Sequence, residues 1–518
     1  MREKLALLIR SNWAPLFAIY LFAIFFATLN LPYATIDLYD ETIYQVGAKF
    51  NLIQSWSPLY SLYYRLIGLF TEDQLTVQLA GHLSINYLLF PTAVYSLSMR
   101  FFAGRSIPFI LTLYLLLTFL NVNEIPRVHS FNFSILTLSV LTLFDLKNRK
   151  KLIALSFLFG LFIHIRFENL AGGLLFLALV MFYLGDPKTK IGTIKVSMIS
   201  IISVTFGYGL LFIFFSDWSF IAHDNRSFHA FQDYFTWEKS NAYTNIGEFN
   251  QQFNSSKDLV SFILNYPTTF IKHLLNNLLA LPEAIFATLY PAKVSVLHTY
   301  SRRFVLIFFA TLIFLPIKPR NDWSRHFIIA FSAQSILVSL ITKPAIKYLL
   351  FPGFSWLLLI LIGINKVRSK ITYDLTRFRF IPITFVVLLA AFQSYEIKSQ
   401  DRGLRKAIDS HINEWNKIDI QQEEVIFFPN SIPFFAGVNT QRSLVTQFDY
   451  RNELEQHFLD WIEKRKISLI CYSDGFTWYN FIHKPADYDQ FEEKHNELLY
   501  ERINPEDQFI RCYRKIEL

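Results

Sequence analysis

The chain has 518 residues, of which 53% are hydrophobic and only 17% charged, with 55 Phe and 26 Tyr. A water-soluble protein carries nearer a quarter of charged residues, so this composition excludes a wholly soluble protein and assigns most of the chain to lipid. The formal net charge of +8 does not signal a nucleic-acid partner, because the basic residues lie between apolar runs instead of gathering on one polar face.

The first ten residues, MREKLALLIR, carry Arg2, Lys4 and Arg10 and lead into an apolar run over 13–31. That run is too long for the core of a signal peptide, and no small-x-small cleavage site precedes Asp37, so the sequence predicts a retained first transmembrane helix. Further runs of spanning length centre on 79–99, 106–121, 131–146, 152–165, 170–184, 193–215, 303–317, 325–342, 345–363 and 380–394. The total is about eleven transmembrane helices. With a cytoplasmic amino terminus, inner loops receive clusters such as Lys147/Arg149/Lys150/Lys151 and Lys366/Arg368/Lys370, whereas short outer connections receive only Arg127, Arg166, Lys343 and Lys347. This asymmetry predicts a multi-pass integral membrane protein with its amino terminus inside. The compact soluble tail favours a bacterial inner (plasma) membrane.

The predicted fold class is therefore an α-helical polytopic membrane domain over 1–394, followed by a soluble extracytoplasmic α/β domain over 395–518. Within that tail, the strand-like runs EEVIFF, ISLICY and QFIRCYRKI alternate with the helix-like NELEQHFLDWIEKRK. Cys471 and Cys512 each fall in a predicted strand. On an oxidising face they can pair as a disulfide or remain two buried thiols, and the residues leave both open. Two longer outer loops, 37–77 and 217–301, contain apolar positions at helical spacing and are predicted to form helices lying in the membrane interface.

The first of these loops opens with IDLYDETIYQ, which sets Asp40 and Glu41 directly after the first membrane helix. Adjacent helical residues point about 100° apart, so the two carboxylates do not face one ligand alike. At a helix start they also serve as caps for the unpaired amides. In the loop 121–132, NEIPRVHSFN offers Glu124, Arg127 and His129 beside a turn at Pro126. His164 and Glu168, at i and i+4, are expected to share a helix face, but two residues are too few to hold a metal. The long loop has HDNRSFHAFQDYF, where Arg226 and two histidines stand among aromatics suited to stacking on sugar rings. P-loop, GxSxG and Cys-x-x-Cys patterns are absent from the sequence, which leaves nucleotide hydrolysis and serine-hydrolase chemistry without support.

Taken in order, the Asp40–Glu41 pair, Tyr44, and the segment Ser57-Pro58-Leu59-Tyr60 resemble the GT-C superfamily of membrane glycosyltransferases. The likeness is to its polyprenyl-phosphate-sugar-dependent members, of the protein O-mannosyltransferase and aminoarabinose-transferase type. HIRFEN at 164–169 is similar to their Arg-Pro-Glu segment, with Phe167 where the family has Pro. IKYLLFPGFSWLLL at 346–359 is similar to their Arg-Tyr-Leu-Leu-Pro motif, with Lys347 where the family has Arg. Trp56-Ser57 stands where the family often has His-Pro. The resemblance implies an inverting transfer of a sugar from a polyprenyl-phosphate donor to an acceptor hydroxyl on the extracytoplasmic face. It implies Asp40 as general base with Glu41 beside it, and Arg166, Lys347 and Lys343 as cations for the donor phosphate. Tyr44, Tyr60, Glu168, His129 and Arg226 are candidate substrate contacts.

The expected partners are thus the lipid-linked sugar donor, a glycan, lipid or protein acceptor, and the bilayer, with no nucleic acid. No cofactor is required; a divalent metal is compatible with the chemistry but unsupported by any ligand cluster. The rival class is a transporter or flippase of lipid-linked glycans. Such proteins place ionisable groups in mid-membrane and carry inverted repeats, whereas here the charges lie at helix ends.

Overall fold

A backbone in lipid has no water to satisfy its N–H and C=O groups, so apolar runs close those bonds internally as helices. The computed structural model of the chain describes residues 14–30, 44–45, 48–49, 57–118 except 103, 127–144, 149–184 except 167, 190–214, 231–232, 253, 258–289, 323–368 except 343 and 345–347, 381–418, 424–428, 444–446, 462–473, 491, 493–503 and 510–516. The helices in order are α1 (Ala14–Asn30), α2 (Pro58–Gly68), α3 (Gln74–His82), α4 (Phe90–Ser98), α5 (Ser106–Leu116), α6 (Arg127–Leu143) and α7 (Arg149–Phe162). They continue as α8 (Asn169–Leu184), α9 (Lys190–Phe214), α10 (Leu259–Asn265), α11 (Pro267–Ala287), α12 (Trp323–Ile341), α13 (Leu350–Arg368) and α14 (Ile381–Trp415). The run expected at 303–317 lies outside the described residues.

Two expected spans differ in detail. The run over 79–99 is a longer rod in which a π-helical segment, Leu83–Leu89, joins α3 to α4. Pro91 lies just beyond that segment; its ring crowds the carbonyl one turn earlier and it supplies no N–H, which widens the turn ahead of it. The last run, expected to end at 394, continues as a helix to Trp415. At 1.5 Å per residue α14 is roughly 52 Å long. Its first half presents exposed Phe385, Val387 and Leu388, while its far end buries Trp415.

The outward faces fit lipid. Helix α1 turns Leu16, Ile19, Ala23 and Phe26 inward, yet its exposed side carries Phe17, Leu21, Ile24 and Phe25. A helix in water would present polar residues there. Among the described residues, α12 alone has the full length and hydropathy of a membrane span, and seven shorter apolar helices accompany it. Amide side chains join the helices where apolar packing gives no direction: Asn30 Nδ2 donates to Ser394 Oγ at 3.2 Å, and Gln393 donates to the Leu117 carbonyl.

In the carboxy-terminal part, β1 (Ile426–Phe428), β2 (Leu444–Thr446), β3 (Leu469–Ser473), β4 (Tyr500–Arg502) and β5 (Ile510–Lys515) form one mixed sheet of order β2-β1-β3-β5-β4. Strand β1 runs parallel to β2 and β3, and β5 is antiparallel to β3 and β4. Ile462, Ile467, Ile470, Phe491, Tyr500 and Tyr513 make its core. Cys471 and Cys512 face each other across β3 and β5 and are joined as a disulfide.

Candidate functional site

The stretches singled out in the sequence meet at the amino-terminal ends of several helices. Pro58 opens α2, where its missing N–H costs nothing and its fixed φ suits the first helical turn. That start is pinned to the turn after α7: Ser57 Oγ donates to the Ile165 carbonyl at 2.6 Å, and the Leu59 amide donates to the His164 carbonyl at 3.3 Å. SPLY and HIRFEN are thus one structural unit, although 107 residues separate Ser57 from His164 in the sequence.

Arg166 follows directly. Its Nε donates to Glu168 Oε1 at 2.9 Å and a terminal guanidinium nitrogen donates to the same oxygen. The pair is mostly buried, with side-chain exposures of 10% and 19%. Burial alone would lower the guanidinium pKa, but Glu168, Tyr348 and Tyr44 more than offset it, and Arg166 is held protonated more firmly than an ordinary arginine. The guanidinium lies 5.3 Å from the Tyr348 ring centre, and His129 also meets that ring edge to face at 5.3 Å.

His129, Asn132, Arg166, Glu168, Gln334 and Tyr348 line a narrow cavity of about 30 Å³. His129 lies in the first turn of α6, Glu168 directly precedes α8, and Tyr348 precedes α13. Three helix amino termini therefore converge here, each bringing the positive end of a helix dipole. Together with the arginine, whose charge Glu168 partly balances, they favour an anion at this place. A second, wider cavity of about 580 Å³ opens beside α2 and α3, lined by Lys49, Arg65, Glu72 and Asp73.

Of the other expected site residues, Tyr44 and Tyr60 are buried and meet edge to face at 5.1 Å, and Tyr60 also packs on Phe131 at 5.1 Å. They form an aromatic cluster packed against α6. Asp40, Glu41, Arg226, Lys343 and Lys347 lie outside the described residues. The expected pairing of His164 with Glu168 on one helix face does not occur: α7 ends at Phe162, and His164 instead reaches the Tyr208 carbonyl at 2.9 Å and stacks on its ring. Among the described residues, no three His, Cys, Asp or Glu side chains gather as metal ligands.

Sequence reasoning missed four contributors. Asn132 and Asn169 exchange amide hydrogen bonds of 3.0 and 2.7 Å, tying the second turn of α6 to the start of α8. Gln334 and Tyr348 complete the pocket. The available signal was an amide in an otherwise apolar helix, which is costly in lipid unless it serves structure or function.

The fold and pocket define a class: a mostly helical protein whose outward faces fit lipid, with a polar pocket at converging helix ends. Its fold is shared with ArnT from Cupriavidus metallidurans, whose crystal structure holds undecaprenyl phosphate. The two superpose with a TM-score of 0.52 over 98% of this chain and 99% of that one, at 9% sequence identity. No family model and no curated protein matches the sequence.

Proposed function

We propose that the protein is a membrane glycosyltransferase that moves a sugar from a polyprenyl-phosphate donor to an acceptor hydroxyl on the extracytoplasmic face. The observation that carries this reading is the pocket at Arg166, built from three helix amino termini on a fold shared with a protein that binds undecaprenyl phosphate. The acceptor oxygen attacks the anomeric carbon as the bond from that carbon to the phosphate oxygen breaks, which inverts the centre. The electron pair leaves with the polyprenyl phosphate, whose charge Arg166 and the helix dipoles stabilise. Lys347 and Lys343, in the connection that leads to Tyr348, add cations to the same segment. The acceptor proton passes to a carboxylate, and Asp40, by its match to the family pair, is that base. The chemistry requires no cofactor.

The test is donor consumption by purified protein in lipid nanodiscs, offered a panel of polyprenyl-phosphate sugars with crude cell-envelope acceptors. Wild type is expected to consume one donor, and Asp40→Asn to bind it with turnover reduced at least ~100-fold, within the usual range for a lost general base. Normal turnover by the variant would return Asp40 to a capping role. Donor left intact by wild type, with transport detected instead, would sink the enzyme reading.

A further inference from the structure

Helix α11 belongs to the long outer loop and is not among the expected site elements. His273, Asn277, Leu281 and Ile285 recur every four residues and face inward, while Ile271, Leu275, Leu278 and Leu279 are exposed. The inward row grips the end of α12. Asn277 Nδ2 donates to the carbonyls of Leu340 at 2.8 Å and Thr342 at 3.1 Å, and His273 Nε2 lies 3.0 Å from the carbonyl between them, that of Ile341. Asn277 Nδ2 and His273 Nε2 also stand 2.9 Å apart; with the two amide protons turned to the Leu340 and Thr342 carbonyls, the Nε2-protonated tautomer of His273 serves that of Ile341. Three successive carbonyls that a helix end leaves unpaired are thus capped by side chains from another helix.

The far end of α11 grips α13. The Thr288 hydroxyl sits so close to Gly353 that a Cβ there would lie 2.1 Å from Oγ1. Between the two grips runs the connection from α12 to α13, which carries Tyr348 to Arg166 and His129. The pocket also takes Gln334, Ser335 and Val338 from the last two turns of α12. Unmasked carbonyls at that helix end would add roughly half a negative charge beside a site suited to anions.

We infer that His273 and Asn277 are positioning residues: they fix the α12–α13 connection, and mask the carboxy-terminal carbonyls of α12, so that the Arg166 pocket is preset for a lipid phosphate. This rests on the glycosyltransferase reading. The exposed apolar stripe of α11 makes the brace part of the membrane surface, where such a lipid arrives.

The experiment measures undecaprenyl phosphate binding and hydrogen exchange over residues 338–350 in nanodiscs, for wild type, Asn277→Asp, Asn277→Ala, His273→Ala and His273→Gln. Asn277→Asp keeps the shape but sets a carboxylate against carbonyls; it is expected to weaken binding at least 10-fold and to raise exchange in 338–350, leaving exchange in α7 and α9 unchanged. Asn277→Ala and His273→Ala should do the same. His273→Gln, whose amide nitrogen reaches the position of Nε2, should restore binding to within 3-fold. Wild-type binding and exchange in Asn277→Asp, or loss spread evenly over all helices, would overturn the proposal. Wild type that fails to bind the probe would remove the glycosyltransferase reading and the proposal with it, an outcome distinct from loss in the variants alone.

Discussion

Arg166 and Glu168 are two residues apart and share one carboxylate oxygen, so structural and functional roles are superimposed on a single ion pair. The two roles separate through substitution of each partner and then both. Arg166→Gln leaves a mostly buried carboxylate without its cation. Breaking a fully buried pair costs about 3–5 kcal/mol; with side-chain exposures of 10% and 19% the loss here should be nearer 1–3 kcal/mol. Arg166→Gln/Glu168→Gln removes the stranded charge and should recover most of that stability, yet donor binding should stay at least 10-fold weak in both variants. Thermal unfolding and donor affinity, measured on the same preparations, check the prediction. Recovery of affinity along with stability would mean that the arginine only neutralises Glu168. Arg166→Lys tests geometry: an ammonium keeps the charge but lacks the planar fork that bonds Glu168 while lying over Tyr348.

Helices α7 and α9 meet through reciprocal glycines. A Cβ on Gly160 would lie 2.1 Å from the Val204 carbonyl oxygen, and one on Gly207 would lie 2.2 Å from that of Phe157. Between α8 and α12, a Cβ on Gly172 would meet the Gln334 side chain at 2.0 Å. Backbone cannot rotate away and a side chain can, so Gly207→Ala should cost about 1–3 kcal/mol, seen as a lowered melting temperature in detergent. Gly172→Ala should cost less stability but weaken donor binding more, because Gln334 lines the pocket. Equal losses of both properties in the two variants would contradict this assignment. The positions of these helices were legible in the sequence, since apolar runs mark where lipid is. Hydropathy reports surroundings and not backbone, which is why the run ending at 394 did not reveal that α14 continues to Trp415. Strands β2 and β4, three residues each, are too short to leave a period-two pattern. The motif stretches were legible as segments, but the bond from Ser57 to Ile165 was not, because nothing local encodes a contact between segments so far apart. His273 and Asn277 read as ordinary polar positions of an amphipathic helix until their three carbonyl partners came into view.

At the scale of the whole molecule, α14 starts among the membrane helices and reaches the sheet, so the side of the membrane on which the sheet stands follows from the direction of that helix. Under the proposed topology its polar half lies outside, the side that the basic residues flanking the apolar runs favour. The disulfide between Cys471 and Cys512 bears on the same question from chemistry, since such bonds form and persist in oxidising compartments and are rare in the cytoplasm. These are the chain's only two cysteines, so thiol counting gives an unambiguous reading. Protein denatured directly from intact cells, with free thiols trapped by a maleimide-polymer reagent, should gain no mass before reduction and two adducts after it. Cys471→Ser/Cys512→Ser should lower the stability of the sheet by roughly 2–4 kcal/mol, while its strand order is retained through the buried cluster around Ile470, Phe491 and Tyr513. Two thiols trapped from wild type without reduction would place the sheet in a reducing compartment. The sheet would then lie on the opposite side from that required for an acceptor delivered to an outer-leaflet donor, and the extracytoplasmic assignment would fail however well the Arg166 pocket binds a lipid phosphate.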